Sequence, residues 1–179
     1  MEICITNLYA DRHTWVELPI EEDDFLEELQ SIGVSTKIWK TEYWKDDTSW
    51  KTNGKGEWLI SDVGSDMDVQ VHHFENMTID DICNGKASEW GECENDYHDV
   101  AVAISEAYGM EDVDIQTCRN ATLFEGVEDE EELGEYVVDY DYFSYEIPAG
   151  LEDFLDYEKI GDWFEDEGTF TSTGFLMNL

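Results

Sequence analysis

The order of apolar and polar residues near the N-terminus predicts a pair of short β-strands. Residues 2–8 and 13–18 alternate between the two classes or are rich in β-branched and aromatic residues. Residues 9–12, which lie between them, have the polar composition of a turn. The first eighteen residues are therefore predicted to form a β-hairpin.

After Pro19 the apolar residues recur at helical spacing, which predicts a helix over residues 21–32. Its apolar positions are Phe25, Leu26, Leu29 and Ile32. Gly33 follows, where glycine commonly ends a helix. Residues 34–44 and 57–63 are predicted strands, joined by a segment with the glycine and asparagine content of a turn or loop. Together these elements predict a small antiparallel sheet with one helix.

The middle of the chain is predicted to be mainly helical. Residues 69–74 are expected to be extended, and Thr78 with Asp81 has the capping-box spacing of a short helix. Asn95 is a candidate N-cap for a further helix over residues 96–108.

The last third of the chain combines helices with a hairpin. Residues 113–124 are expected to be extended, and a helix follows whose apolar face is Leu133, Tyr136, Val137 and Tyr140. Pro148 begins a second helical region. Residues 169–172 and 175–179 are predicted to pair as a β-hairpin.

These elements predict an α+β protein built as an elongated chain of three small modules. Residues 1–65 form the sheet with one helix, residues 66–112 the mainly helical middle module, and residues 113–179 the C-terminal α+β module. The chain is 41% hydrophobic and 13% aromatic, which is enough apolar surface for a folded protein.

The sequence predicts a cytoplasmic protein with reduced cysteines. It shows neither a signal-peptide pattern nor an apolar run approaching the roughly 20 residues that a bilayer span needs. The four cysteines, Cys4, Cys83, Cys93 and Cys118, lack CxxC spacing and are expected to be buried thiols.

Charge is the most unusual property of the chain. Its 46 acidic and 9 basic residues give a net charge of −37 over 179 residues. Duplex DNA carries one negative charge per roughly 1.7 Å of its axis, so the same charge belongs to about 18 base pairs. A compact sphere would spread this charge too thinly to resemble a duplex. Resemblance to DNA requires an elongated shape or a concentration of acids.

Such a concentration occurs between residues 125 and 167, which hold 18 acids and one base, Lys159. An acidic run is most often only a solvated surface, but acids that continue through several folded elements favour a binding surface. We predict that the acids of this segment contact a partner: Glu125, Glu128, Asp129, Glu130, Glu131, Glu132, Glu135, Asp139, Asp141, Glu146, Glu152, Asp153, Asp156, Glu158, Asp162, Glu165, Asp166 and Glu167. A second group surrounds the first helix: Glu21, Glu22, Asp23, Asp24, Glu27 and Glu28.

Enzymatic and metal chemistry find little support in the sequence. Residues 112–117 begin like a calcium-binding loop but lack glycine at its sixth position and glutamate at its twelfth. His72, His73 and His98 lack the spacing of a metal-binding motif. There is neither a nucleophile elbow nor a phosphate-binding glycine loop. We therefore predict a non-enzyme with no catalytic residue, metal or cofactor.

Five of the nine basic residues lie among tryptophans in residues 37–55. Basic and aromatic side chains together can bind single-stranded nucleic acid, but the net charge of the chain opposes direct binding. The lysines are better explained as protection of an edge strand, with an influence on partner choice as the alternative.

The C-terminal third resembles the ArdA antirestriction family, which mobile genetic elements and phages carry. The similar segments are residues 131–138, Ile147–Pro148 followed by Leu151, residues 154–161 and residues 168–175. In that family an acidic Leu-x-x-Tyr segment is the antirestriction motif, and a D-Y-x-x-x-G segment precedes the final strands. Here these motifs fall on residues 131–146 and 156–161, with weaker similarity over residues 1–33.

The resemblance implies an elongated homodimer of three-module chains that imitates bent duplex DNA. It implies binding in the DNA groove of type I restriction-modification enzymes, which would block both restriction and modification. The C-terminal module would form the dimer, with contacts expected from Leu133, Tyr136, Val137 and Tyr140. Two alternatives stay open: a decoy for another DNA-binding defence complex, such as a BREX or CRISPR effector, and an acidic structural protein adapted to high salt.

Overall fold

A computed structural model describes residues 1–34, 58–140, 142, 150–151 and 154–179. Helices and antiparallel sheets occur in separate segments, which confirms the predicted α+β class. The contacts divide the chain into two compact units, Met1–Asp96 and Tyr97–Leu179. The three-module division at residues 65 and 112 stays a prediction.

The N-terminal unit contains a three-stranded antiparallel sheet in the order β2-β1-β3. Its strands are β1 (Glu2–Asn7), β2 (Arg12–Glu17) and β3 (Trp58–Gly64). Ile3 of β1 pairs with Val16, and Ile5 pairs with Ile60. The central strand β1 is buried along most of its length, which explains its apolar composition.

Helix α1 (Glu22–Ser31) completes this part of the core by burying Phe25, Leu26 and Leu29. The Phe25 ring meets the ring of Trp58 edge to face, with centroids 5.9 Å apart. The helix ends where Gly33 adopts a left-handed conformation with φ +88°. The predicted hairpin, α1 and the strand after residue 57 are thus confirmed.

Two helices follow in the N-terminal unit, α2 (Ile79–Cys83) and α3 (Lys86–Asp96). Thr78 and Asp81 form the predicted capping box at the start of α2. Between β3 and α2, Val71–Phe74 forms a 3₁₀ helix, so the extended conformation predicted for residues 69–74 is wrong. The imidazole Nδ1 of His73 accepts the backbone N–H of Gln70 at 2.9 Å and thereby favours this turn.

The helix predicted over residues 96–108 is confirmed, but the prediction that Asn95 caps it is wrong, because Asn95 lies inside α3. Helix α3 is held by a buried face that includes Ala87, Trp90 and Cys93, at a spacing of three residues. The next helix, α4, spans His98–Ala107 and begins the C-terminal unit.

The C-terminal unit continues with α5 (Ile115–Asn120), in the segment that was expected to be extended. For residues 115–120 this prediction is wrong because Asp114 acts as an N-cap, whereas Leu123 and Phe124 are extended as predicted. Its carboxylate accepts the backbone N–H of Thr117 at 2.7 Å. The short strand β4 (Leu123–Glu125) follows α5.

The remaining elements among the described residues are α6 (Glu130–Asp139), α7 (Tyr157–Phe164), β5 (Gly168–Thr171) and β6 (Gly174–Met177). Glu165–Glu167 forms a 3₁₀ turn between α7 and β5. The strands form a second antiparallel sheet in the order β4-β6-β5. The acidic helix with one apolar face and the C-terminal hairpin are confirmed.

The core of the C-terminal unit joins the sheet to α6. It consists of Phe124, Val127, Leu133, Val137 and Phe175, all of which are buried. The predicted strand over residues 34–44 lies almost entirely outside the described residues. The helical region predicted from Pro148 onward is confirmed by α7, while residues 148–149 and 152–153 lie outside the described residues.

Candidate functional site

Helix α6 carries the densest group of acids, and its N-terminus makes this density tolerable. Asp129 is the N-cap and accepts the backbone N–H of Glu132 at 2.9 Å. The Glu132 carboxylate in turn accepts the backbone N–H of Glu128 at 2.8 Å. Glu130, Glu131 and Glu132 occupy the first turn, where the positive end of the helix dipole favours negative charge. The local fold therefore offsets part of the repulsion among these acids.

Two glycines allow α6 and α7 to pack with their backbones in close contact. A Cβ atom added to Gly134 of α6 would lie 2.0 Å from the carbonyl oxygen of Tyr157. A Cβ atom added to Gly161 of α7 would lie 1.8 Å from the carbonyl oxygen of Glu130. Both distances are far below any allowed contact, so only glycine fits at either position. The close packing brings the acids of the two helices together.

Carboxylate oxygens of Glu130, Asp162 and Glu165 all lie within 4.8 Å of one another. Two unit charges at that distance repel by roughly 1 kcal/mol in water-like surroundings, and by more where solvent is excluded. Such oxygens could hold a hard cation. The three carboxylates could equally form ion pairs with a cationic group of a partner protein. Asp162 and Glu165 are exposed and Glu130 is partly exposed, so the group is accessible from solvent.

Helix α7 contributes further exposed acids and the one base of this segment. Asp156 caps α7, accepting the backbone N–H of Lys159 and pairing with its ammonium group. The hydrogen bond from the Lys159 side chain, aided by the backbone bond and by its charge, lowers the pKa of Asp156. The positive charge of Lys159 is therefore directed to Asp156 rather than to the acids of α6.

Most of the predicted partner-binding acids of this segment face solvent. Apart from Glu130, every described member of the predicted set between residues 125 and 167 is exposed. We call the acids on and beside the two helices the α6–α7 acidic surface: Glu128, Asp129, Glu130, Glu131, Glu132, Glu135, Asp139, Glu158, Asp162, Glu165, Asp166 and Glu167. Glu125 is exposed on β4. Asp141, Glu146, Glu152 and Asp153 lie outside the described residues.

The second predicted group of acids lies on α1 in the N-terminal unit. Glu21, Glu22, Asp23, Asp24 and Glu27 are exposed. Glu28 is partly buried and accepts a hydrogen bond from the Thr14 hydroxyl at 3.0 Å, so it also supports the fold. No basic residue occupies the last turn of α1.

The residues expected at the dimer contact have different environments. Leu133 and Val137 are fully buried within the core of the C-terminal unit. Tyr136 is partly buried, and Tyr140 is 65% exposed. Only the tyrosines of this set have surface left to offer a second chain, and their role in a dimer stays a prediction.

Sequence reasoning missed one buried acid, Glu94 of α3. Its carboxylate pairs with the N-terminal ammonium of Met1 and accepts hydrogen bonds from Ser65 and from the backbone N–H of Asp66. Burial alone would raise the pKa of Glu94, but these three hydrogen bonds and the ammonium charge outweigh it and lower the pKa. Trp90 and Cys93, which precede Glu94 on the same helix, are apolar in the sequence and buried in the structure. Their apolar character is the sequence feature that could have indicated the burial of Glu94.

A scan against models of protein families and a search of curated proteins found no match to this chain.

Proposed function

We propose that this chain is a non-enzymatic DNA mimic that occupies the DNA-binding groove of type I restriction-modification enzymes and blocks both restriction and modification. It would act in the cytoplasm of the host cell as an antirestriction protein, and we propose that it does so as a homodimer. The choice of type I restriction-modification enzymes as the partner class comes from the resemblance to the ArdA family.

The observation that carries the proposal is the α6–α7 acidic surface. Exposed carboxylates from two helices are held side by side by a glycine-mediated crossing, and the one base of the segment, Lys159, pairs with Asp156. A protein groove that holds duplex DNA presents lysines and arginines spaced to meet phosphates. Carboxylates held in fixed positions can pair with the same lysines and arginines.

Rigidity is important for such a surface. Flexible acidic side chains on a mobile chain would lose conformational entropy when a partner ordered them. Here the backbones of α6 and α7 are in contact, so the positions from which the acids project are fixed. Long-range attraction between opposite charges would also accelerate the encounter with a basic groove.

The proposal is tested by competition for DNA. A type I methyltransferase is mixed with labelled duplex containing its recognition sequence, and the protein is titrated at low salt. We expect the protein to displace the duplex and to inhibit methylation with the same concentration dependence. Rising salt should weaken inhibition, because exposed charges are screened. Unchanged DNA binding at a large excess of protein would refute the proposal.

DNA displacement and folding measurements distinguish the proposed function from the two alternative explanations of the acidic residues. Displacement of DNA from a BREX or CRISPR effector, but not from the methyltransferase, would assign the mimicry to another defence complex. A salt-adapted structural protein would unfold in dilute buffer and refold as salt is added. A mimic should remain folded in dilute buffer, as far-ultraviolet circular dichroism would report.

A further inference from the structure

Three aromatic rings form a stack that runs from the core of the C-terminal unit to its surface. The ring centroids of Phe124 and Tyr136 are 4.4 Å apart with planes inclined by 19°. Those of Tyr136 and Tyr140 are 4.3 Å apart with planes inclined by 25°. Phe124 is buried, whereas Tyr140 is 65% exposed. One face of the Tyr140 ring is therefore covered by Tyr136, which leaves the opposite face for solvent.

The stack is held in place by its neighbours. Tyr142 packs against Phe124 with ring centroids 5.0 Å apart, and its backbone N–H donates to the carbonyl of Val137 at 3.1 Å. The backbone N–H of Tyr140 donates to the carbonyl of Tyr136 at 3.0 Å. Stacking on Tyr136 orients the Tyr140 ring at the end of α6, which lowers the side-chain entropy lost when a ligand stacks on it.

The surroundings of this ring favour a cation. Asp139, the residue before Tyr140, is exposed, and α6 ends here, so the negative end of the helix dipole adds to the charge. Residues 120–158 contain no lysine, arginine or histidine. Burial raises the pKa of Tyr136, with further contributions from Tyr140, Tyr142 and Glu125, which places a carboxylate near the stack.

We propose that the exposed face of Tyr140 is a docking site for an arginine side chain of the partner protein. A guanidinium is planar, so it can stack on the ring while its N–H groups remain free to hydrogen-bond with a carboxylate. A lysine ammonium lacks the planar face. The inference rests on the proposed function only for the identity of the protein that supplies the arginine. It assigns the exposed face of Tyr140 to that arginine and not to the predicted dimer contact.

A nucleobase could also stack on an exposed tyrosine. The backbone phosphates that accompany it would be repelled by the acids around Tyr140, so the charge favours arginine over nucleic acid. Single-stranded nucleic acid is therefore included in the test as a competing ligand.

The experiment compares capped hexa-arginine and hexa-lysine peptides, with affinities measured by titration calorimetry at one ionic strength. The proteins are the wild type, Tyr140→Leu and Tyr140→Phe, with Tyr9→Leu as a matched control at an exposed tyrosine of the N-terminal unit. The ratio of the two affinities removes the effect of net charge. We expect Tyr140→Leu to lower this ratio by about threefold, as loss of an exposed cation–π contact predicts. Tyr140→Phe and Tyr9→Leu should retain it.

A second measurement does not depend on the variants. Binding to the wild type should shift the arginine Hδ proton resonances upfield, because protons over an aromatic face are shielded by its ring current. No such shift, or an equal loss of both peptides in Tyr140→Leu, would overturn the proposal. Tighter binding of oligo(dT) than of hexa-arginine would overturn it in favour of nucleic acid.

Neither measurement contains DNA competition or a restriction enzyme, so the two proposals can fail separately. If arginine preference is found but the methyltransferase is not inhibited, the docking site stands and the partner must be sought elsewhere. If inhibition is found without arginine preference, the mimic stands and the Tyr140 site is rejected.

Discussion

The α-carbon of Gly161 lies so close to Glu130 that a Cβ atom there would come within 1.8 Å of the Glu130 carbonyl oxygen. This contact joins α7 to the first turn of α6. The first turn of α6 supplies Glu130, α7 supplies Asp162, and the turn after α7 supplies Glu165; their carboxylate oxygens lie within 4.8 Å of one another. The packing of a glycine thus determines how closely the acids are grouped.

Gly161→Ala should destabilise the protein by about 2 kcal/mol or more, because the added methyl group meets backbone that cannot move without separating the helices. Alanine is normally the better helix former by roughly 1 kcal/mol, so a loss of stability is diagnostic. The free energy of unfolding is measured with urea. Gly150→Ala is the control, because a Cβ atom there has no described atom within 4 Å. Equal stability of the two variants would contradict the packing.

Neutralising four acids on α6 and just before it should weaken inhibition of a type I methyltransferase more than neutralising four acids of α1. We expect Glu128→Gln, Glu131→Gln, Glu135→Gln and Asp139→Asn to weaken inhibition of a type I methyltransferase by roughly tenfold, since each exposed pair contributes a fraction of a kcal/mol. The matched control changes Glu21, Glu22, Asp23 and Glu27 in the same way, which removes an equal charge. Equal losses would assign activity to net charge instead of to the α6–α7 acidic surface.

Glu94→Gln should lower the free energy of unfolding by about 3 kcal/mol at pH 7, because it leaves the buried ammonium of Met1 without its charged partner. The pKa of Glu94 is lower in the folded protein, so its contribution is complete above the unfolded pKa and is lost as pH falls through the folded pKa. The difference between wild type and variant should therefore shrink below about pH 4.5. A constant difference down to pH 3 would exclude this linkage.

Cys83 should be chemically inert in the folded protein. Burial, with Glu22, Asp80 and Glu21 adding negative charge nearby, raises the pKa of its thiol to about 12. At pH 8 only about one thiol in ten thousand would be ionised. All four cysteines are buried, so Ellman's reagent should label none quickly in native buffer and all four in concentrated urea. Rapid labelling of Cys83 in the native protein, located by peptide mass mapping, would contradict its burial.

The sequence predicted those elements whose pattern is complete within one short segment. The first hairpin, α1, the capping box at Thr78 and α6 each contain their own apolar spacing or cap, and each is confirmed. Helix α5 was missed because its apolar residues are few and its stability depends on the Asp114 cap. Helix α3 was missed because its buried face includes small and polar residues beside Trp90.

The amount of negative charge and its concentration after residue 125 were determined by the sequence alone, because they depend only on which residues are present. The grouping of Glu130 with Asp162 and Glu165, the pairing of Glu94 with Met1, and the outward stack ending at Tyr140 were decided by tertiary structure. These contacts join residues distant in the chain or depend on which face of a helix the core covers. Side-chain packing determines both, and no local pattern contains that information.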